Sequence, residues 1–217
     1  MKVTLLSGDA LPRMVENAVL GALTCTGNEE RVKEYEPVKF LTDLAERGHE
    51  SVIEHINLTF RVEGISRALL QELARHRHIS LSVRSTRYTL GKMALDPKWL
   101  DKVTAEMKEI LSLAATRYSQ RKLDNVGVEY VESAAVRVLE ALNYSGVSKL
   151  PDLGKYFLPD VFPTAFMLTL NARELRHIFK LRSRPEALHE FQYLTKALYD
   201  AIPEDYRGLF KDCMHED

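Results

Sequence analysis

The spacing of apolar residues along the chain predicts three strands. Residues 164–171 form an apolar run that reads as a buried strand, and residues 2–6 form a short one. Within residues 55–63, apolar and polar side chains alternate in the two-residue repeat of a half-buried strand, with the apolar positions at Ile56, Leu58, Phe60 and Val62. Gly64 ends this strand in our interpretation.

Elsewhere apolar residues recur at the three- and four-residue spacing of amphipathic helices. Pro12 near the first turn and Gly27 just past the end bracket the earliest helix, and Gly48 ends the second. The predicted helices cover residues 11–23, 37–48, 65–76, about 98–122, about 128–142, 172–182, about 186–201 and 204–213.

These elements predict an α+β fold, in which a few-stranded, mainly antiparallel sheet is combined with long helices. No internal repeat, low-complexity stretch or convincing linker divides the chain. We therefore expect residues 1–217 to form a single mixed domain.

Composition and charge narrow the function classes. The chain has 217 residues, 45% of them hydrophobic and 28% charged, as in an ordinary soluble globular protein. Its formal net charge of -1 argues against a protein that coats nucleic acid without specificity, because such domains are basic overall. Any positive site must therefore be local.

The cysteines and the apolar runs bear on the compartment. Cys25 and Cys213 form no C-x-x-C pair, so neither a disulfide framework nor a thiolate zinc site is indicated. The N-terminal residues lack the unbroken apolar run of a signal sequence, and no stretch approaches the roughly 20 apolar residues of a membrane span. We expect a cytoplasmic protein with reduced thiols and no membrane or nucleic-acid partner.

A basic, hydroxyl-rich segment, "RHRHISLSVRSTRY", occupies residues 75–88. It contains four arginines, two histidines and five hydroxyl side chains, and no acidic residue lies between Glu72 and Asp96. Cations in the last turn of a helix complement its dipole, which explains one or two of these residues. Arg84 and Arg87 lie further on, among hydroxyls, and paired guanidinium donors suit phosphate oxygens.

A second feature lies in "LNARELRHIFKLR", residues 170–182. Asn171, with Glu174 three residues later, is a capping-box-like helix start. Arg182 falls on the apolar stripe of its own helix, together with Leu175, Ile178 and Phe179. Such an arginine must extend its head group to water or find a partner, which is either a carboxylate of its own protein or a ligand.

The segment "GHESVIEH", residues 48–55, raises the possibility of a metal site. His49, Glu54 and His55 are ligand types that zinc and iron use, and His76 and His78 lie elsewhere. However, we expect Glu54 and His55 to point to opposite sides at the start of a strand, and the i, i+4 histidine pair is missing. We predict no metal.

Together the three segments resemble a known family. They are similar to the motifs of the flavin-dependent thymidylate synthases. The first motif is "RHR" followed by seven residues and Ser85, and the second is G-H-x-S-x-x-E-H. The third is "NAR" followed by a polar residue at 177 and by "LR" at 181–182. They occur in the family's order, and the resemblance extends from about residue 16 to about residue 200.

The resemblance implies a function and two ligand sites. Such enzymes convert dUMP to dTMP, with carbon from 5,10-methylenetetrahydrofolate and hydride from FADH2 that NADPH regenerates, in homotetramers with shared active sites. The implied dUMP residues are Glu72, Arg75, Val83, Arg84, Ser85, Thr86, Arg87, Lys155 and Arg182. The implied FAD residues are His49, Ser51, Arg75, His76, Arg77, Val83, Asn171, Arg173 and His177.

This chain departs from the family pattern at two of those positions. Lys155, in "GKYFLP", replaces the usual arginine and offers a point charge without the bidentate fork. Glu72 lies where many members carry Gln, so either Glu72 or a shifted contact through Gln71 would meet the nucleotide.

The same residues indicate a mechanism. Both cysteines lie outside the motifs, so we expect no thiolate addition to the pyrimidine. Arg182 is the candidate catalytic residue, because a guanidinium against the N3 and carbonyl edge stabilises an ionised ring. Ser85 is expected to position the nucleotide. Two rival interpretations are a nucleic-acid-binding protein that uses residues 75–92 and a flavoprotein acting on another nucleotide.

Overall fold

The computed structural model describes residues 1–93, 96, 98–119, 133–134, 136–141 and 154–215. The chain divides into two compact units. The first unit comprises residue 1 and residues 63–75 and 82–166, and the second comprises residues 2–62, 76–81 and 167–217. The single domain expected from the sequence stays a prediction.

The described elements mix helices and strands, as expected. The strands are β1 (Lys2–Leu5), β2 (Asn57–Ser66), β3 (Ile79–Val83) and β4 (Pro163–Asn171). The α-helices are α1 (Leu11–Thr24), α2 (Pro37–Glu46), α3 (Arg67–Leu73), α4 (Thr86–Met93), α5 (Trp99–Ser119), α6 (Ala172–Arg182) and α7 (His189–Ala201). Short 3-10 helices lie at Gly8–Ala10, Glu29–Glu34, Glu50–His55, Lys155–Phe157, Glu204–Leu209 and Lys211–Cys213.

The four strands form one sheet in the order β1-β2-β4-β3. The amide of Ala172 donates to the carbonyl oxygen of Ile56 at 2.8 Å, and the hydroxyls of Thr59 and Thr169 lie 3.0 Å apart. Residue numbers thus fall on β4 as they rise on β2, which makes this central pair antiparallel. Antiparallel pairing was expected, and it holds for these two strands.

The core of the second unit follows from the predicted periodicities. The alternating residues of β2, among them Leu58 and Phe60, are completely buried. The apolar stripe of α6 is buried as well, and the ring of Phe179 meets that of Phe210 edge to face at 5.9 Å. Burial of these side chains, at roughly 25 cal/mol per Å² of apolar surface, is the main favourable term in folding this unit.

The core of the first unit is centred on α5. Trp99, Val103 and Met107 recur every four residues along this helix and are buried. They pack with Leu90, Leu139, Leu158 and Phe162. The predicted helix at about 98–122 is therefore confirmed over Trp99–Ser119, whereas the helix predicted at about 128–142 is described only at residues 133–134 and 136–141, which are helical.

Gly64 does not end β2, contrary to our expectation. The strand continues to Ser66, and within it Gly64 adopts a φ of +70°, a left-handed conformation that favours glycine. The helix that follows starts later than predicted, at Arg67, since the Oγ of Ser66 accepts from the amide of Leu69 at 2.9 Å. It also ends earlier, at Leu73, so Arg75, His76 and Arg77 follow the helix instead of forming its last turn.

The secondary structure of residues 75–88 and of residues 50–55 also differs from the prediction. The basic segment contains β3 and the start of α4, neither of which was predicted. Glu54 and His55 belong to the 3-10 helix Glu50–His55, not to the start of a strand, so the predicted alternation of their side chains is wrong. No helix in the described part of the chain is long and apolar enough to cross a bilayer.

The cap at Ser66 generates a stability prediction. Ser66 is almost completely buried, so Ser66→Ala removes the acceptor of the Leu69 amide and is expected to lower the free energy of unfolding by about 1 kcal/mol. Urea unfolding followed by circular dichroism would measure this loss. Thr24→Ala is the matched control, because its exposed hydroxyl bonds a carbonyl of its own helix. Equal stability of the two variants would contradict the capping role.

Candidate active site

In the first unit, the end of the basic segment forms a strand-to-helix turn. The amide of Arg84 donates to the carbonyl oxygen of Ala165 at 2.8 Å, which fixes the backbone directly after β3. The carbonyl oxygen of Ser85 accepts from the amides of Tyr88 and Thr89, at 3.2 and 3.0 Å, and thereby starts α4. The side chains of Arg84 and Arg87 are exposed around this ordered backbone.

Most of the other first-unit candidates are also at the surface. The guanidinium of Arg75 lies 3.5 Å from the carboxylate of Glu72, one helical turn earlier. Lys155 is exposed in the 3-10 helix Lys155–Phe157, beside the exposed ring of Tyr156. Val83 is exposed, whereas Thr86 is buried. These positions present cations, which suits an anionic ligand.

In the second unit, the ring of His76 connects two residues of α6. Its Nδ1 lies 3.2 Å from Oε1 of Glu174, and its Nε2 accepts from Nε of Arg182 at 3.3 Å. Both ring nitrogens of this buried histidine are therefore engaged within the protein. Burial lowers the pKa of His76, and the nearby charge of Arg182 lowers it further, while the hydrogen bond to Glu174 acts in the opposite direction.

The surroundings of Arg182 match its predicted place on α6. Ile178 and Phe179 on the same stripe are completely buried, while Arg182 itself is half-buried. Its guanidinium carbon lies 4.8 Å from the centre of the Phe191 ring on α7, a cation–π distance. The guanidinium is thus held by a ring nitrogen and by an aromatic face.

The start of α6 carries the other candidates of this helix. Oδ1 of Asn171 accepts from the amide of Glu174 at 2.8 Å, so the predicted cap is confirmed. The carboxylate of Glu174 is directed to His76, so it does not supply the second hydrogen bond of a capping box. His177 is exposed, and its ring meets that of His76 edge to face at 5.9 Å.

The 3-10 helix Glu50–His55 is fixed against α6 by ion pairs. Oε1 of Glu50 accepts from Nε of Arg176 at 3.1 Å and from Nζ of Lys180 at 2.9 Å. Nη1 of Arg173 donates to Oε1 of Glu54 at 2.6 Å. The structure thereby brings the "GHESVIEH" and "NAR" segments together. His49 and Ser51, on either side of Glu50, are exposed.

Arg176 is a key residue that the sequence analysis did not single out. Its guanidinium is completely buried and donates to both carboxylate oxygens of Asp212, at 2.7 and 2.6 Å, and to the carbonyl oxygen of Leu209. A signal was available, because Arg176 follows Ala172 by four residues and precedes Phe179 by three, which places it on a buried face.

Neighbouring cations keep the two acids that contact Arg176, Glu50 and Asp212, ionised. We call these three residues the Arg176 network. Burial opposes the charged form of Glu50, but hydrogen bonds from Lys180 and Arg176 hold its pKa below the ordinary value. Burial likewise opposes ionisation of Asp212, and the bonds from Arg176 again lower its pKa. The network is therefore fully ionised at neutral pH.

Neither metal binding nor thiolate chemistry has support in the described residues. Among them, no three His, Cys, Asp or Glu side chains are grouped so that they could hold a metal ion. Burial raises the pKa of the Cys213 thiol to about 12, so this thiol is protonated at neutral pH. Cys25 is exposed, directly after the end of α1.

Comparison with known proteins identifies the family. A family model described as "Thymidylate synthase complementing protein" matches residues 9–205. A flavin-dependent thymidylate synthase of Campylobacter jejuni is 40% identical over 170 residues, which cover 78% of this chain and 76% of the relative. The chain belongs to the flavin-dependent thymidylate synthase family. The resemblance inferred from the three motifs is thus confirmed, and with it the assignment of an enzyme.

Further similarities agree with this family. A flavin-dependent thymidylate synthase of Helicobacter pylori is 39% identical over 170 residues, 76% of either chain. The crystal structure of thymidylate synthase X from the same species, with FAD and dUMP, matches over 100% of both chains, with a TM-score of 0.77 and 30% identity. The mixed helical and sheet architecture of this family member is therefore shared with a solved structure.

The Arg176 network predicts a specific pH dependence. The folded state favours the Asp212 carboxylate, so its contribution is present above its ordinary pKa of about 3.9 and is lost as pH falls through the lowered value. Asp212→Asn should lower the free energy of unfolding at pH 7 by about 1–3 kcal/mol, the worth of a hydrogen bond to a charged group. It should also flatten the decline below pH 4.

Urea unfolding between pH 3 and pH 7 would test this. Asp205→Asn is the control, because Asp205 is an exposed acid in the nearby 3-10 helix Glu204–Leu209. An Asp212→Asn variant that matches the wild type at both ends of the range would contradict the network's role.

Proposed function

We propose that this family member catalyses the reductive methylation of dUMP to dTMP, with 5,10-methylenetetrahydrofolate as carbon donor, FADH2 as hydride donor and NADPH as the reductant of FAD. The observation that carries this proposal is the match over the whole chain to the Helicobacter pylori enzyme with FAD and dUMP. Two of the three motifs add support, because the "GHESVIEH" and "NAR" segments are joined by hydrogen bonds in the second unit.

The proposed dUMP-binding residues are those that the family motifs imply. They are Glu72, Arg75, Val83, Arg84, Ser85, Thr86, Arg87, Lys155 and Arg182. The exposed guanidinium groups of Arg84 and Arg87 flank Ser85 on a backbone anchored to β4, which suits a phosphate. Lys155 would add a point charge. Ser85 would donate a hydrogen bond that positions the nucleotide, without acting as a nucleophile.

The proposed FAD-binding residues also follow the motifs. They are His49, Ser51, Arg75, His76, Arg77, Val83, Asn171, Arg173 and His177. The side chain of Arg173 is 52% exposed and its guanidinium is oriented by Glu54, which suits an anionic cofactor that carries a diphosphate. At His76 both ring nitrogens are engaged, so a cofactor contact there would use the backbone. Bound FAD would supply the hydride chemistry.

Arg182 is the proposed catalytic residue. A guanidinium against the N3 and carbonyl edge of the pyrimidine stabilises the negative charge of an ionised ring, and does so most strongly where water is excluded. The half-buried position of Arg182, over the ring of Phe191, provides a partly apolar setting. This electrostatic route needs no addition of a cysteine thiolate, in agreement with the raised pKa of Cys213.

Several broader features remain part of the proposal. We assign to this chain the single domain, the homotetramer with shared active sites and the cytoplasmic location that the sequence analysis predicted. The nucleic-acid-binding alternative is less favourable, because it gives no role to the joined "GHESVIEH" and "NAR" segments.

The direct test is formation of dTMP by the purified protein. The purified protein should be yellow, and with FAD, NADPH, dUMP and methylenetetrahydrofolate it should form dTMP, measured by chromatography. Arg182→Ala should lower kcat by about 100-fold or more, the scale expected on loss of an electrostatic stabiliser. Arg184→Ala, an exposed arginine just beyond α6, is the control. A colourless protein that FAD does not reconstitute would refute the proposal, and a normal kcat of Arg182→Ala would remove the role of Arg182.

The absence of a cysteine nucleophile has its own test. Cys25→Ser and Cys213→Ala should each retain the wild-type kcat to within about twofold, because neither thiol takes part in the reaction. Since Cys213 is buried, thermal unfolding should accompany the assay so that a loss of folded protein is recognised. An inactive but folded variant of either residue would revive the thiolate route.

A further inference from the structure

Three residues of the second unit form a continuous hydrogen-bonded row. Glu174 lies 3.2 Å from Nδ1 of His76, and Arg182 lies 3.3 Å from Nε2 of the same ring. The side chains of Glu174 and His76 are 10% and 5% exposed, so water competes little for either bond. The family motifs assign no role to Glu174, which the sequence analysis treated only as a helix-capping residue.

The donors and acceptors of this row are determined by the arginine. A guanidinium has only N–H groups and stays protonated, so Nε of Arg182 can only donate. Nε2 of His76 must therefore be an unprotonated acceptor. In the neutral ring the proton then resides on Nδ1, where it is donated to the carboxylate of Glu174. Glu174 thus selects the one tautomer that can accept from Arg182.

We propose that Glu174 is a positioning residue for Arg182, and that it acts through the tautomer of His76. This inference rests on the proposed catalytic role of Arg182. The row holds Arg182 at its Nε, and because the guanidinium is planar this contact orients the whole fork. The ring of Phe191, 4.8 Å from the guanidinium carbon and 6.0 Å from the His76 ring, supports both members.

Protonation of His76 would break the row, because the imidazolium has no acceptor and would repel Arg182. The charged or titratable groups that face this ring are Glu174, Arg182 and His177. Burial and the two cationic or titratable neighbours oppose protonation, and Glu174 alone favours it. The lowered pKa keeps the ring neutral near pH 7, so the acceptor is present under physiological conditions.

The tautomer can be observed without measuring activity. In nitrogen-15 NMR spectra of histidine-labelled protein, His76 should carry its proton on Nδ1 in the wild type. Glu174→Ala removes the acceptor and should shift the proton toward Nε2, whereas Glu174→Gln keeps an acceptor oxygen and should preserve the wild-type tautomer. A wild-type His76 signal in folded Glu174→Ala would overturn the proposal.

Kinetics then test the link to Arg182. Glu174→Ala should lower kcat by about 10- to 100-fold, the scale of a misplaced catalytic group, with the KM for dUMP changed less than twofold. Glu174→Gln should restore kcat to within about threefold of the wild type, because the tautomer is retained. A Gln variant as impaired as the Ala variant would show that the charge of Glu174 matters rather than the tautomer of His76, and would overturn the proposal.

Two substitutions of His76 separate hydrogen bonding from packing. His76→Phe keeps an aromatic ring against Phe191 but offers no acceptor, so kcat should fall as in Glu174→Ala. His76→Gln offers an acceptor that does not protonate, so it should retain more activity, and any acid limb of the wild-type pH profile that is due to His76 should disappear. Equal kcat of the two variants would contradict an acceptor role.

The outcome for Arg182→Ala distinguishes the proposed role of Arg182 from that of Glu174. If that variant stays active, the proposed role of Arg182 fails. If Arg182→Ala loses activity while folded Glu174→Ala does not, only the positioning role of Glu174 fails. In the Arg182→Ala background, Glu174→Ala should have no further effect on kcat, and an additive loss would overturn the inference. His189→Phe, a half-buried histidine packed on Tyr193 outside the row, is the control and should keep its kcat.

Discussion

The buried guanidinium of Arg176 is the constraint on which the second unit depends. A fully buried charge is tolerated only when it is paired and hydrogen-bonded, and removal of one partner of a buried pair costs about 3–5 kcal/mol. Arg176 meets this requirement with Asp212, Glu50 and the carbonyl oxygen of Leu209. Those partners come from segments far apart in the chain, so one residue on α6 fixes both the C-terminal 3-10 helices and the segment that carries His49 and Ser51.

Two arginines of α6, Arg176 and Arg182, differ in burial and in the groups that hold them. Arg176 is completely enclosed, and its donors are used by carboxylates and a carbonyl oxygen of the protein. Arg182, six residues later, is half-buried and is held at Nε by a neutral histidine and over an aromatic ring. The neutral histidine and the aromatic ring orient this guanidinium, whereas Arg176 is held by carboxylates. That difference supports Arg182, and not Arg176, as the group that meets an anionic pyrimidine.

The overall charge of the chain is close to neutral, so its positive potential has to be concentrated locally. In the first unit, the exposed arginines around Ser85 project from a backbone fixed between β3 and α4. In the second unit, Arg173 is exposed and Glu54 restricts its orientation. Ordered backbone beneath exposed cations reduces the entropy that is lost when a phosphate binds.

The sequence by itself determined the elements whose periodicity is strong and the chemistry whose residues recur in motifs. The alternation in β2, the stripe of α6 and the Asn171 cap were predictable because each depends on neighbours within one element. The tertiary structure alone decided the strand within the basic segment, the continuation of β2 through Gly64, the burial of Arg176 and the contact of Glu174 with His76. These depend on partners about 33 to 126 residues away in the chain, which local spacing does not specify.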